Sequence, residues 1–134
     1  MTVGDIMTTG VMTIRESDSL EQARYQMETA DVRHLPVVNA AGRLVGILSA
    51  HDVFRSRGVP AVVSELMTHN VRTVTPATPA HEAVRLMLDQ KIGGLPVIAD
   101  GKLVAMVTAT DFLAIAYRAL RPLENKVANT RRMP

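Results

Sequence analysis

Shifted by 60 residues, the chain matches itself from end to end. Val3 falls on Val63, Met7-Thr8 on Met67-Thr68, Thr13 on Thr73 and Leu35-Pro36-Val37 on Leu95-Pro96-Val97. One residue drops out near Asn39–Gly42, and at an offset of 59 the match resumes: Gly42, Leu44-Val45, Ala50 and Asp52 meet Gly101, Leu103-Val104, Ala109 and Asp111. A duplication with a single gap constrains the fold more than any local pattern. Solenoids and propellers need three or more units to bury a continuous core. Two copies predict two halves packed on each other about a pseudo-two-fold axis. At 134 residues the chain suffices for one compact unit, while either half alone would bury too little surface to be secure.

Within each half the plan repeats. Residues 3–8 and 63–68 read as short helical turns, and Thr13-Ile14 and Thr73-Val74 as short strands. A helix follows. In the first half Asp18 is the expected N-cap with Glu21 three residues on, and Leu20, Ala23, Met27 and Ala30 recur at helical spacing. In the second half Thr78 is the expected cap, Pro79 stands at the first helical position, and Ala80, Ala83, Val84, Met87 and Leu88 form the apolar face. The runs "LPVV" and "LVGIL", then "LPVI" and "LVAMV", read as strand pairs around the turn signals "NAAGR" and "ADGK". Each half closes with a helix, "AHDVFRS" or "TDFLAIAYRAL". The expected organisation is a first repeat over 1–58, a second over 59–117 and a basic tail over 118–134.

Composition removes several classes. There is no cysteine, so disulfides and thiolate chemistry are out. No apolar run approaches the roughly 18 residues of a membrane helix. The start "MTVGDIMTTG" lacks a basic end and an apolar stretch, so a secretory signal is not visible and a cytoplasmic location is expected. Residues 1–117 carry ten basic and twelve acidic side chains, whereas 118–134 carry five basic ones against Glu124 alone. Such a tail can attract nucleic acid or an acidic partner, or simply be a solvated, partly disordered end. Aromatics are only 3% of residues, which disfavours base stacking, and no groove-reading element appears. The eight methionines suit apolar faces as core filling.

Candidate chemistry gathers where each second hairpin strand ends. "S-A-H-D" at 49–52 and "T-A-T-D" at 108–111 place an acid three residues after a hydroxyl. That is a capping box and needs no further purpose. The same geometry also offers unpaired N–H groups and a positive helix end to an anion, with a carboxylate beside them able to accept from a ribose diol. Ser49, Thr108 and Thr110 can bond phosphate oxygens. Arg33 and His34 precede an apolar strand and can neutralise phosphate; the second half has Gly93-Gly94 there, so the two halves are not equivalent as anion sites. His34, His51, His69 and His81 show no close-spaced pair, so no metal site is expected. No nucleophile–base order or phosphate-cradling loop argues for an enzyme.

Together these residues resemble a tandem pair of cystathionine-β-synthase (CBS) domains, a Bateman module, over residues 1 to about 117. The resemblance implies an α/β (α+β) fold of two β-α-β-β-α repeats packed through their sheets, two clefts between them, and a homodimer. It implies adenosine ligands: AMP, ADP, ATP or S-adenosylmethionine. By the family's pattern the ribose aspartates are Asp52 and Asp111. The hydroxyl positions are Ser49, and Thr108 with Thr110, His51 standing in place of the second hydroxyl. The phosphate cations are Arg33 and His34. Thr73, Val74 and Thr75 would face the Asp52 cleft, and Thr13, Ile14 and Arg15 the Asp111 cleft. The Gly93-Gly94 pair and Ala105 in place of Gly46 depart from the pattern at the second cleft, which favours Asp52. The resulting expectation is a regulatory ligand sensor acting on another polypeptide. The alternatives are an interaction dimer with empty clefts and nucleic-acid binding through the tail.

Overall fold

The structure, a computed structural model, describes residues 1–56 and 58–132, with side chains described as far as Glu124. The elements run α1 (Val3–Ile6), β1 (Thr8–Thr9), β2 (Ile14–Arg15), α2 (Leu20–Ala30), β3 (His34–Val38), β4 (Leu44–Ser49), α3 (Ala50–Arg55), α4 (Val63–Leu66), α5 (Ala80–Gln90), β5 (Gly94–Ala99), β6 (Lys102–Thr108) and α6 (Ala109–Arg132). They build two three-stranded sheets, β2-β3-β4 and β1-β6-β5. The hairpins β3–β4 and β5–β6 are antiparallel and turn at Gly42 (φ 80) and Gly101 (φ 75). Both φ values lie in the left-handed region where glycine is unstrained. The duplication is therefore real in three dimensions, down to equivalent turn glycines.

Alternation along the strands sorts their side chains. Leu35, Val37 and Leu48 join Leu20, Ala23 and Met27 of α2 in a first core. Leu95, Val97, Ala105 and Val107 join Ala83 and Met87 of α5 in a second. Pro36 and Pro96, on the strands' other face, are also fully buried.

The segments that open each repeat cross over. Val3 is fully buried in the second core, and Val63 and Met67 are buried in the first. Backbone bonds fix the exchange: Val3 N–H to Thr78 O at 2.8 Å and Gly4 N–H to Pro76 O at 2.8 Å, against Val63 N–H to Asp18 O at 2.8 Å and Ser64 N–H to Glu16 O at 3.0 Å. Strand β1 then pairs with β6, and Thr68 bonds both ways with Ile47 on β4. Each sheet thus takes its outermost chain from the other repeat. Hydrophobic spacing carries no signal of this, because Val3 and Val63 occupy equivalent positions in either arrangement.

Four local expectations are corrected. Ser19, not Asp18, caps α2, its Oγ accepting from Gln22 N–H at 3.1 Å; Asp18 instead accepts from Arg15 N–H at 3.0 Å and closes the preceding turn. Pro79 occupies the N-cap position of α5, and Thr78 Oγ1 accepts from Thr75 N–H at 3.0 Å, outside the helix. Leu88 is 72% exposed, while Leu86 packs against the core, because the buried stripe is centred on Ala83 and Met87. The last helix also runs past the expected "TDFLAIAYRAL" to Arg132, with Pro122 inside it. The side chains of Lys126, Arg131 and Arg132, which the sequence marks as a basic tail, lie outside the described residues.

Candidate ligand site

The hydroxyl–aspartate turns sit where β4 enters α3 and where β6 enters α6. In the first, Ser49 N–H donates to Asp52 Oδ2 at 2.9 Å, and Asp52 N–H donates to Ser49 Oγ at 3.1 Å. In the second, Thr108 N–H donates to Asp111 Oδ2 at 2.8 Å, and Thr108 Oγ1 also donates to Asp111 Oδ2, at 3.3 Å. The difference has a chemical consequence. Ser49 uses a lone pair in its cap, which leaves its hydroxyl proton able to donate elsewhere. Thr108 spends its proton on its own aspartate. In the first turn Oδ2 is engaged by the cap and Oδ1 stands 3.9 Å from Arg55. Capping therefore does not exclude binding; it holds the carboxylate in one orientation.

The strand register brings the basic residues to the first turn. His34 pairs with Ser49 across β3–β4, and Arg33 O accepts from Ala50 N–H at 2.8 Å. His34 is half-buried. Its burial, then the neighbouring Arg33 charge, push its pKa below the usual histidine value, with the Asp52 carboxylate acting in the opposite sense. So Asp52, Ser49, His34 and Arg33 form one neighbourhood. Arg33 and His51 are exposed, as is Thr110 in the second turn.

The residues assigned to the opposite walls divide. Ile14 and Val74 are only 2% and 6% exposed and belong to the two cores, so their side chains are not available to a ligand. Thr13 and Thr73 are exposed and meet in one groove of about 1050 Å³ between the halves, at the turn end of the strands. Arg43 and Lys102, each just after an equivalent turn glycine, also line it. Arg15 borders a separate hollow of about 470 Å³ with Asp18, Gln22 and Gln26 of its own half. Thr75 is tied to Thr78. Neither hollow includes Asp52 or Asp111.

Gly46 has a different role from a cleft residue. A Cβ there would lie 2.5 Å from Met67 Sδ and 2.9 Å from Thr68 O, so this glycine admits the crossed-over segment. Ala105, its counterpart, is fully buried in the second core beside β1. The departure at Ala105 is thus one of packing. Sequence reasoning missed a further contact: His34 reaches Gly93 and Gly94 in the other half. The only signal was a basic pair in one repeat facing a glycine pair in the other.

A CBS domain family model matches residues 3–58 and again residues 63–118. The chain belongs to the CBS domain family. Solved CBS pairs share its architecture. One is the CBS domain pair of protein MJ0100 in complex with 5-methylthioadenosine and S-adenosyl-L-methionine, 28% identical, TM-score 0.81, covering 86% of this chain and 94% of that one. Another is CBSX2 in complex with AMP, 31% identical, TM-score 0.77, covering 88% and 97%. Among curated proteins, a homoserine O-acetyltransferase of Methanohalobium evestigatum is 35% identical over 111 residues, which is 81% of this chain but 23% of the enzyme. This CBS pair therefore spans about a quarter of that enzyme's length. Among the described residues no helix is long and apolar enough to cross a membrane, and no cluster of His, Asp or Glu could hold a metal ion.

Proposed function

We propose that this CBS pair is a regulatory module that binds an adenosine ligand (AMP, ADP, ATP or S-adenosylmethionine) between its repeats, with the Asp52 turn as the main site. The observation that carries this is the asymmetry of the two turns. Ser49 keeps a donor proton beside an oriented Asp52 carboxylate, with Arg33 and His34 next to it. The Asp111 turn has consumed its threonine proton and has Gly93-Gly94 in place of Arg33 and His34. A ribose diol on Asp52 and a phosphate on Ser49, Arg33 and His34 use every group of the first turn. The ligands in the MJ0100 and CBSX2 structures support the adenosine class.

The module acts by binding rather than catalysis. A ligand held between the halves favours the packing that binds it better, and a polypeptide partner reads that difference, within the limit of the ligand's differential affinity. A homodimer is part of the proposal: Phe54 on α3 and Leu113, Tyr117 and Leu120 on α6 are each at least half exposed and want a cover. An interaction dimer with empty clefts is the second reading, favoured by the fact that both aspartates already cap helices. A thermal-shift screen with AMP, ADP, ATP and S-adenosylmethionine separates the two. A ligand that binds only the folded state raises the melting temperature by mass action. No shift at millimolar ligand with any of the four would reject the sensor in favour of the empty dimer.

A further inference from the structure

The groove between the halves repeats the duplication in its own walls. Val38 and Ile98, Leu44 and Leu103, and Arg43 and Lys102 line it, each pair at equivalent positions of the two repeats. The apolar pairs are partly buried and the two cations are exposed, so an apolar floor carries a charged rim. At about 1050 Å³, with few polar groups on apolar walls, the groove has the makeup of a small-molecule site. It is remote from the hydroxyl–aspartate turns. Strand β4 leads from Leu44 to Ser49, and β6 carries Leu103 and ends at Thr108. At roughly 3.3 Å per residue, the groove end of each strand lies about 17 Å from its turn.

The charges on this rim are unspent. Among the described residues neither Arg43 nor Lys102 is in an ion pair. Asp100 also lines the groove and opposes them, and His69 has its Nε2 engaged 3.1 Å from Ser64 O. We propose that the groove is a second ligand site, separate from the Asp52 and Asp111 turns, for a small organic dianion. Its apolar body lies on the floor, one acidic end meets Arg43 and the other meets Lys102. The duplication sets one cation in each half, so a ligand with two acidic ends ties the halves together at the end of the strands opposite the turns. Two cations with an acid beside them are too few for a nucleic-acid backbone, whose binding rests on neutralising many phosphates. The proposal does not depend on the adenosine reading of the turns.

The test follows amide chemical shifts while butanedioate, hexanedioate, octanedioate and decanedioate are titrated in turn into the protein at neutral pH. The expected result is saturable shifts at residues 41–45 and 100–103 with at least one of the four. Arg43→Gln and Lys102→Gln, on exposed side chains, should each weaken that binding by about threefold or more, and Asp100→Asn should tighten it. The same titration of Asp52→Asn should be unchanged within twofold, so a failure of the adenosine reading leaves this result standing. No saturable shift at 41–45 and 100–103 with any of the four at millimolar concentration overturns the proposal. Binding that survives both Arg43→Gln and Lys102→Gln overturns the charge pairing that defines it. Shifts centred on 49–52 and lost in Asp52→Asn would put the dianion in the first turn and overturn the second site.

Discussion

Ser49 and Asp52 hold each other in place, each backbone N–H donating to the other's side chain, at 2.9 and 3.1 Å. The same four atoms cap α3 and orient the carboxylate that the proposal gives to a ribose. Stability and binding can still be separated there. Ser49→Ala removes an accepting oxygen from the cap and is expected to lower stability by about 1 kcal/mol. Asp52→Asn keeps an oxygen that can accept from Ser49 N–H, so its loss should be smaller. Urea denaturation of both variants checks the order.

Gly46 is expected to be intolerant for a reason unrelated to ligand. A Cβ there meets the Thr68 carbonyl at 2.9 Å, and backbone cannot swing aside as the Met67 side chain could. Gly46→Ala should cost about 1–3 kcal/mol as an overpacking change. Denaturant melts of Gly46→Ala beside the wild type measure it.

Met67 reports on the crossed segments. It follows α4 in sequence, at the start of the second repeat, yet it is 7% exposed within the first core. Met67→Ala should cost about 2–5 kcal/mol. The local consequence is more telling: amide hydrogen exchange should quicken in β3 and β4 before it does in β5 and β6. Quicker exchange confined to β5 and β6 would contradict the crossover.

That crossover also marks where sequence reading stopped. The hairpins were legible because "LPVV" and "LVGIL" alternate into one core and end at turn glycines, and the duplication printed them twice. Helices α2 and α5 were legible from Ala23, Met27, Ala83 and Met87. Their caps were not, because Asp18, Ser19 and Thr78 can all accept from a nearby N–H, and only the chain's path decides which one does. Val3 and Met67 could have served either core, since equivalent positions carry identical patterns. In the site, the Ser49–Asp52 and Thr108–Asp111 spacings were plain. Which hydroxyl keeps its proton was not, for it turns on Ser49 accepting and Thr108 donating. The burial of Ile14 and Val74 was hidden because neither a two-residue strand nor a single bridging residue shows an alternation from which to choose a face.

His34 gives the fold a pH dependence with a defined sign. Burial, then Arg33, lower its folded-state pKa. Its contribution is thus fully present above the ordinary histidine value of about 6.5 and is lost as pH falls through the lower folded value. Stability should decline on acidification below about pH 6.5, and His34→Gln should flatten that part of the profile. Melting temperatures from pH 8 down to pH 5 for the two proteins test it. A wild-type profile that rises toward acid in this range, with the variant's flat, would reverse the sign.

The most direct measurement is calorimetric titration of AMP and of S-adenosylmethionine into wild-type, Asp52→Asn and Asp111→Asn proteins. One of these ligands should bind the wild type, Asp52→Asn should weaken it by at least tenfold, and Asp111→Asn should leave the tighter binding event in place. Binding that survives Asp52→Asn and disappears in Asp111→Asn would contradict the assignment of the main site to the Asp52 turn.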